Sequence, residues 1–340
     1  MKEDYNKIVV LQTAYIGDVV VSTGLVRELN KIFPNAKVDI ITTPVSSEIF
    51  QYNPYIRKRI KFDKKNWKYI NFFKLVKKLK NENYDLSISI QSSLTSALLL
   101  YFSGIKRRVG FSKQVLTTDS VRALENKNIH RSENIVNLLS PLSSNMNFDN
   151  RTELFLSEKE RQKAKEILTN QKSNKKMIGV APGSVRATKK WPQKYFAELT
   201  QKLKKENIVT FFIGNAEETQ LCEEIIELGQ NDSTVNMAGE LSLLESAALI
   251  EKLDLMLAND SAPLHIANAV NTDVFAFFGP TVQKYGFFPY RENDKIFEKE
   301  LDCRPCSLHG GPSCPEGHHN CMKKITPEEV FENIKNYFNT

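Results

Sequence analysis

The sequence predicts an α/β protein built as two doubly wound units in tandem. Two observations carry this expectation. Short, nearly all-apolar runs of strand length alternate with longer segments of helical periodicity. That alternation breaks in a polar stretch around 141–176 and then restarts. Strands covered on both faces of a parallel sheet read as near-continuous apolar runs, and their alternation with helices marks a doubly wound sheet. A chain of 340 residues with 41% hydrophobic content can fill two cores.

KIVVLQ (7–12) is the first strand. TAYIGDVVVSTGLVRELNKIF then turns at Gly17 and Asp18 and becomes a helix marked by Val20, Leu25 and Leu29, which Pro34 and Asn35 end. KVDIITT (37–43) is a strand, NFFKLVKKLKNEN (71–83) an amphipathic helix with a strongly basic face, and DLSISIQ (85–91) a strand with serine at alternate positions. After the polar PLSSNMNFDNRTE, SEKERQKAKEILTNQ (157–171) reads as a helix capped by Ser157. KMIGVAPGS (176–184), NIVTFFIGN (207–215), DLMLAND (254–260) and DVFAFFGPT (273–281) are strands running into turns. ITPEEVFENIKNYF (325–338) is a helix with Thr326 as cap and Pro327 at its first position. The expected division is 1–160, 175–325 and a closing helix at 326–340.

No run of about 18 apolar residues predicts a membrane-spanning helix. The N-terminus MKEDYNKIVVLQ carries acids and does not read as a signal peptide. A cytoplasmic protein is expected, with its five cysteines as reduced thiols or metal ligands. The net charge of +7 is uneven. Residues 1–150 hold 23 Lys and Arg against 13 Asp and Glu, a net +10; the remainder holds 24 against 27, a net −3. A positive first half suits an anionic partner, although a solvated lysine-rich surface accounts for it as well. A nucleic-acid partner is not expected, because no aromatic-rich basic recognition motif accompanies the charge.

In open α/β sheets ligands bind beyond the carboxyl ends of the strands, and with two such units the cleft between them is the expected site. Four loops stand at such ends. In APGSVRATKKWP (181–192), Gly183 and Ser184 allow close approach to the backbone, and Thr188, Lys189 and Lys190 offer a hydroxyl and two cations. That set suits a phosphate, though a turn with surface lysines would look the same. In NDSAPLHIANA (259–269), Asp260 and Ser261 stand where a helix starts and its free N–H groups bind anions, with His265 one turn on. Simple capping and a packed histidine fit equally. In TAYIGDVV (13–20), Asp18 is either a general base or a cap. In FFIGNAEET (211–219), Glu217 or Glu218 suits ribose hydroxyls or merely water. Neither G-x-G-x-x-G nor a Walker motif occurs, which disfavours dinucleotide and P-loop readings.

Taken together, KIVVLQTAYIGDVVVSTGLVREL, APGSVRATKKWP, NDSAPLHIANAVNTDVFAFFGPT and CRPCSLHGGPSCPEGHHNCMKKITPEEV resemble, in order and over nearly the whole chain, family 9 glycosyltransferases. These are the ADP-heptose:lipopolysaccharide heptosyltransferases, and the resemblance is greatest to the heptosyltransferase II type. It implies a GT-B fold of two Rossmann-like domains facing a central cleft, with acceptor on the first domain and nucleotide-sugar donor on the second. It implies inverting transfer that needs no metal. Asp18 takes the place of the catalytic base. Lys189, preceded by Thr188, takes that of the phosphate-binding lysine. Asp260, Ser261 and His265 fall on the family's D-[ST]-G-x-x-H motif, and Gly279 and Thr281 on its F-G-P-T turn. The sequence departs once: Ala262 replaces the usual glycine, which brings a methyl toward the diphosphate. The implied partners are an ADP-sugar and an anionic, Kdo-bearing lipopolysaccharide-core acceptor at the inner membrane surface. A family 9 enzyme using another nucleotide sugar, or a nucleotide-sugar epimerase of similar two-lobed shape, is the alternative.

Cys303, Cys306, Cys314 and Cys321 have the spacing C-x2-C-x7-C-x6-C, with His309, His318 and His319 interleaved. In a reducing compartment this pattern suits either a tetrahedral structural zinc or free thiols packing a loop.

Overall fold

The computed structural model describes residues 4–63, 69–124, 129–169 and 175–339. They form two compact units, Met1–Phe155 and Leu156–Thr340. The first contains a parallel sheet of β1 (Lys7–Leu11), β2 (Lys37–Thr42), β3 (Lys58–Lys61), β4 (Leu86–Ser89), β5 (Arg107–Phe111) and β6 (Asp119–Val121), in the spatial order β3-β2-β1-β4-β5-β6. Its helices are α1 (Ile16–Val21), α2 (Thr23–Ile32), α3 (Tyr69–Glu82), α4 (Leu94–Phe102) and α5 (Arg131–Val136). The helix expected across 13–33 is thus two, meeting at Ser22, whose hydroxyl turns back to Val19 O at 2.7 Å.

The second unit opens with α6 (Glu158–Thr169), then β7 (Met177–Ala181), α7 (Gln193–Lys205), β8 (Val209–Phe212), α8 (Thr219–Gly229) and β9 (Thr234–Asn236). It continues with α9 (Leu243–Ile250), β10 (Leu255–Asn259), α10 (Ala262–Ala269), β11 (Val274–Phe278), β12 (Lys295–Glu298), α11 (Asn320–Lys323) and α12 (Pro327–Asn339). The strand order is β12-β11-β10-β7-β8-β9, all parallel. Counted from its own first strand, this repeats the 3-2-1-4-5-6 order of the first sheet. Both are Rossmann-like doubly wound sheets, as expected. The last two residues of the expected helix 157–171 lie outside the described residues.

The boundary at Phe155 and Leu156 puts both α6 and α12 inside the second unit. Helix α6 packs on α9 and is tied there by Arg161 to Glu251 at 3.1 Å, while α12 packs on α7. The core beneath them is aromatic. Trp191 stacks on Phe277 with centroids 4.5 Å apart and meets Phe196 edge-on at 4.8 Å, and its indole N–H donates to Ile325 O at 2.9 Å. Each fully buried side chain of this size contributes about 1.5–3 kcal/mol relative to exposure. Trp191 therefore anchors the 181–192 loop, and Pro192 is the N-cap of α7. In both sheets the point where strand order reverses lies between the first and fourth strands, β1/β4 and β7/β10. That reversal opens a crevice at the carboxyl ends of the strands.

Candidate functional site

Three of the four loops singled out from sequence emerge at these reversals. In the second unit, the loops after β7 and β10 are held together by Asn259, which is fully buried. Its side-chain amide donates to Pro182 O at 2.8 Å, and its Oδ1 accepts from Trp191 N at 2.9 Å. Sequence reasoning passed over Asn259 because it ends a strand as an unremarkable polar residue; only the adjacency of β7 and β10 reveals its role.

Across this junction Lys189 and Asp260 meet, with Nζ and Oδ2 2.6 Å apart and both side chains largely buried. Thr281 Oγ1 donates to the same Asp260 oxygen at 2.7 Å. The carboxylate offsets the cost of burying an ammonium and fixes its direction. Two ammonium protons remain for other acceptors. Helix α10 begins next to this pair. Its N-cap Ser261 makes no side-chain cap; its hydroxyl donates instead to Asn259 O at 3.3 Å. The capping reading thus fails for Ser261, and the first-turn N–H groups stay uncapped by it. An uncapped helix start beside a lysine suits a diphosphate. Ala262 is the first residue of α10. His265, one turn on, is buried against Phe287, and desolvation together with Lys189 pushes its pKa down to about 3. It is a neutral imidazole at physiological pH, able to share hydrogen bonds without adding charge.

Gly183, two residues beyond β7, lies against the Glu218 carboxylate: an added Cβ would fall 1.7 Å from Oε1, so Glu218 would have to turn away. The Glu218 carboxylate also reaches Gly214 at the end of β8 and accepts from Asn215 N at 3.0 Å. Of the two acids that the sequence offers for ribose hydroxyls, Glu217 is exposed on the following turn. The capping box between Asn215 and Glu218 decides which of the two acids turns inward, and Glu218 is the one placed at the loop. Ser184 is partly exposed beside it.

Thr188 also differs from expectation. It is buried, and its hydroxyl both donates to Gly311 O at 3.1 Å and accepts from Gly311 N at 2.8 Å. His319 Nε2 meets Thr188 O at 2.8 Å. Thr188 is spent on clasping the cysteine-containing loop against the Lys189 loop rather than on offering a hydroxyl to a ligand.

In the first unit, Asp18 lies in the first turn of α1 immediately beyond β1, where the helix dipole favours a carboxylate. Gln12, at the end of β1, donates from Nε2 to Asp18 O at 3.2 Å and holds the turn.

A model of glycosyltransferase family 9 (heptosyltransferase) matches residues 72–312. The chain belongs to this family. Lipooligosaccharide heptosyltransferase 2 of Campylobacter jejuni is 28% identical over 97% of this chain and 98% of its own length. The crystal structure of a family 9 glycosyltransferase from Veillonella parvula superposes with a TM-score of 0.85 at 20% identity, over 99% of this chain and 98% of that one. The structure of E. coli ADP-heptose lps heptosyltransferase II superposes with 0.78 at 23% identity, over 97% and 98%. These likenesses show the shared GT-B fold.

In this glycosyltransferase the F-G-P-T turn is pinned by Arg304, a residue not singled out from sequence. Its guanidinium donates to Gly279 O, to Thr281 O at 2.8 Å and to Glu298 at 2.9 Å. Gly279 is close-packed: a Cβ would sit 3.0 Å from Met322 and 3.1 Å from Thr188 O. For the cysteine loop the sequence leaves two readings, a structural zinc and free thiols packing a loop. Among the described residues no group of three or more His, Cys, Asp or Glu is arranged to hold a metal ion. The cysteines are free thiols, and Cys306, Cys314 and Cys321 line one small cavity together with His319; Cys306 Sγ donates to Cys303 O at 3.0 Å and Cys314 Sγ accepts from His319 N at 3.4 Å. Burial raises the Cys306 and Cys321 pKa values.

Proposed function

We propose that this family 9 enzyme transfers a heptose from ADP-heptose to the Kdo/heptose inner core of lipopolysaccharide, by metal-independent, inverting displacement. The observation that carries this is the Lys189–Asp260 pair at the open start of α10. It supplies a fixed cation and backbone donors where a leaving nucleoside diphosphate gains charge. Glu218 stands at the neighbouring strand ends, where ribose hydroxyls would be held. Asp18 takes the proton of the acceptor hydroxyl as it attacks the anomeric carbon. Attack opposite the leaving group inverts that carbon. Thermal shift across ADP-, UDP- and GDP-sugars should show the largest stabilisation with ADP-heptose, because a ligand bound only by the native state raises its midpoint. ADP release should then require an inner-core lipid acceptor. A preference for UDP- or GDP-sugars, or turnover of the donor without acceptor, would overturn this reading.

We also propose peripheral contact with the anionic cytoplasmic face of the inner membrane. No helix among the described residues is long and apolar enough to cross a membrane. The adjoining helices α3 and α4 nevertheless expose Ile70, Phe73, Leu94 and Phe102, with Lys74, Lys77 and Lys78 exposed on α3. Exposed apolar side chains among lysines suit the interface of an anionic bilayer, where each nearby lysine is worth about 1 kcal/mol. Phe73→Ser with Lys77→Glu should weaken binding to phosphatidylglycerol vesicles at least about tenfold by co-sedimentation, a loss expected from removing one aromatic and reversing one charge. Unchanged binding would remove this face from the role.

A further inference from the structure

The cysteine loop, which the transfer chemistry does not use, closes round a cavity of about 60 Å³. Cys306, Cys314, His319 and Cys321 line it, together with Thr188 and Pro280 from the two donor-side turns. Cys303 is not part of that lining; its carbonyl oxygen accepts from Cys306 Sγ at 3.0 Å. Such a space has room for an ion or a few waters, not for a sugar or a nucleotide. Its thiols lie within one another's field. Burial is the main cause that raises the Cys306 and Cys321 pKa values; Cys314 adds to both, and Arg304 opposes the rise in both.

The hydrogen bonds of His319 fix what it can offer to this space. Its Nε2 meets the Thr188 carbonyl oxygen at 2.8 Å, and a carbonyl only accepts, so Nε2 carries the proton. In the neutral ring Nδ1 then keeps its lone pair. Metal-bound histidines are held in this way, one ring N–H donated to a carbonyl and the other nitrogen left for the ion. The backbone N–H of the same residue donates to Cys314 Sγ at 3.4 Å, a contact that favours charge on the sulfur. His319 sits at φ 54°, in the left-handed region that is uncommon outside glycine.

We infer that Cys306, Cys314, His319 and Cys321 form a site for a thiophilic divalent cation, and that this ion holds the donor loops together. Three sulfurs and one imidazole nitrogen are a tetrahedral set that suits zinc(II). The four side chains face the cavity without yet standing at one centre. A cysteine has a single side-chain torsion, and a step between its staggered wells carries the sulfur inward. Binding breaks three S–H bonds, forms three metal–sulfur bonds and one metal–nitrogen bond, and releases three protons to solvent. Cys306 gives up its bond to Cys303 O in that step. Three thiolates around a dication leave a single net negative charge, which the nearby Arg304 guanidinium offsets. The ligands are already tied to both donor-side turns: His319 and Gly311 hold Thr188, next to Lys189, and Cys306 N donates to Pro280 O at 3.1 Å in the F-G-P-T turn. The ion takes no part in the displacement, and only its effect on donor binding rests on the transferase reading.

The test is metal binding by the full-length chain, expressed with zinc available and purified under reducing conditions. Elemental analysis should give about one zinc per chain. Cobalt(II) in its place should show the intense visible bands of a tetrahedral ion together with sulfur-to-cobalt charge transfer. That spectrum needs no variant and carries the test if a variant does not fold. Cys314→Ser and His319→Ala should each weaken cobalt binding at least about 100-fold, since even groups that only orient ligands are worth about 10–100-fold. Cys303→Ser should bind cobalt as wild type does. Removing zinc with a chelator should weaken ADP binding about tenfold by calorimetric titration, and zinc alone should restore it. Zinc-free protein whose loop cysteines all react with a thiol reagent while folded overturns the site, as does zinc retained undiminished in Cys314→Ser. Loss in Cys303→Ser with none in His319→Ala would overturn the ligand set. Stoichiometric zinc whose removal leaves ADP affinity unchanged overturns its hold on the donor loops. Absence of ADP binding by the zinc-loaded protein would overturn the transferase reading and leave the metal site standing.

Discussion

Asp18→Asn should lower kcat by about 10²–10⁴-fold, the usual range for loss of a general base, while leaving the donor KM essentially unchanged. The substitution keeps shape and removes only the capacity to take a proton. The backbone carbonyl that Gln12 holds at 3.2 Å is untouched, so the turn after β1 should persist. Donor contacts belong to the second unit on the present assignment, and ADP affinity should therefore not change. Initial rates of ADP release at saturating donor and acceptor give kcat, and titration of ADP in the absence of acceptor gives the second quantity. Transfer within about threefold of wild type would remove Asp18 from the chemistry, since a base acting in the transition state cannot be lost so cheaply.

Lys189→Ala should lower kcat/KM by about 10²–10³-fold, because the ammonium acts where charge develops on the leaving diphosphate. A second effect follows from its partner. With Lys189 gone, the Asp260 carboxylate stays buried with only the Thr281 hydroxyl, and breaking a buried pair from one side costs about 3–5 kcal/mol. The two effects separate by genetics. Adding Asp260→Asn to Lys189→Ala removes the unpaired charge and should restore much of the thermal midpoint without restoring transfer. If the double substitution restored both, Lys189 would be a structural partner of Asp260 and nothing more. Lys190→Ala should be the milder change, since Lys190 takes no part in the buried pair.

How far the sequence carries can be followed residue by residue. The core strands were legible because KIVVL, MIGVA, LMLAN and VFAFF are apolar on both faces, a pattern dictated by helices covering both sides of a parallel sheet. The outer strands were not. KRIK at β3 buries only Ile60, and TVN at β9 is three residues long with none fully buried, so periodicity had nothing to register. RRVGF at β5 was hidden by its two arginines, one of which is paired with Asp119 at 3.0 Å.

The loops that could hold a phosphate or a base were determined by sequence, because small residues, a lysine and an acid at strand ends are local chemistry. Which atoms of those loops meet was a tertiary decision. Lys189 and Asp260 are 71 positions apart and touch only because β7 and β10 are neighbours where the strand order reverses. Between adjacent acids, Glu218 rather than Glu217 turns inward because a capping box with Asn215 orients it and Gly183 leaves it room. The Thr188 hydroxyl is taken up by Gly311, because its nearest partner is set by loop packing that spacing does not encode.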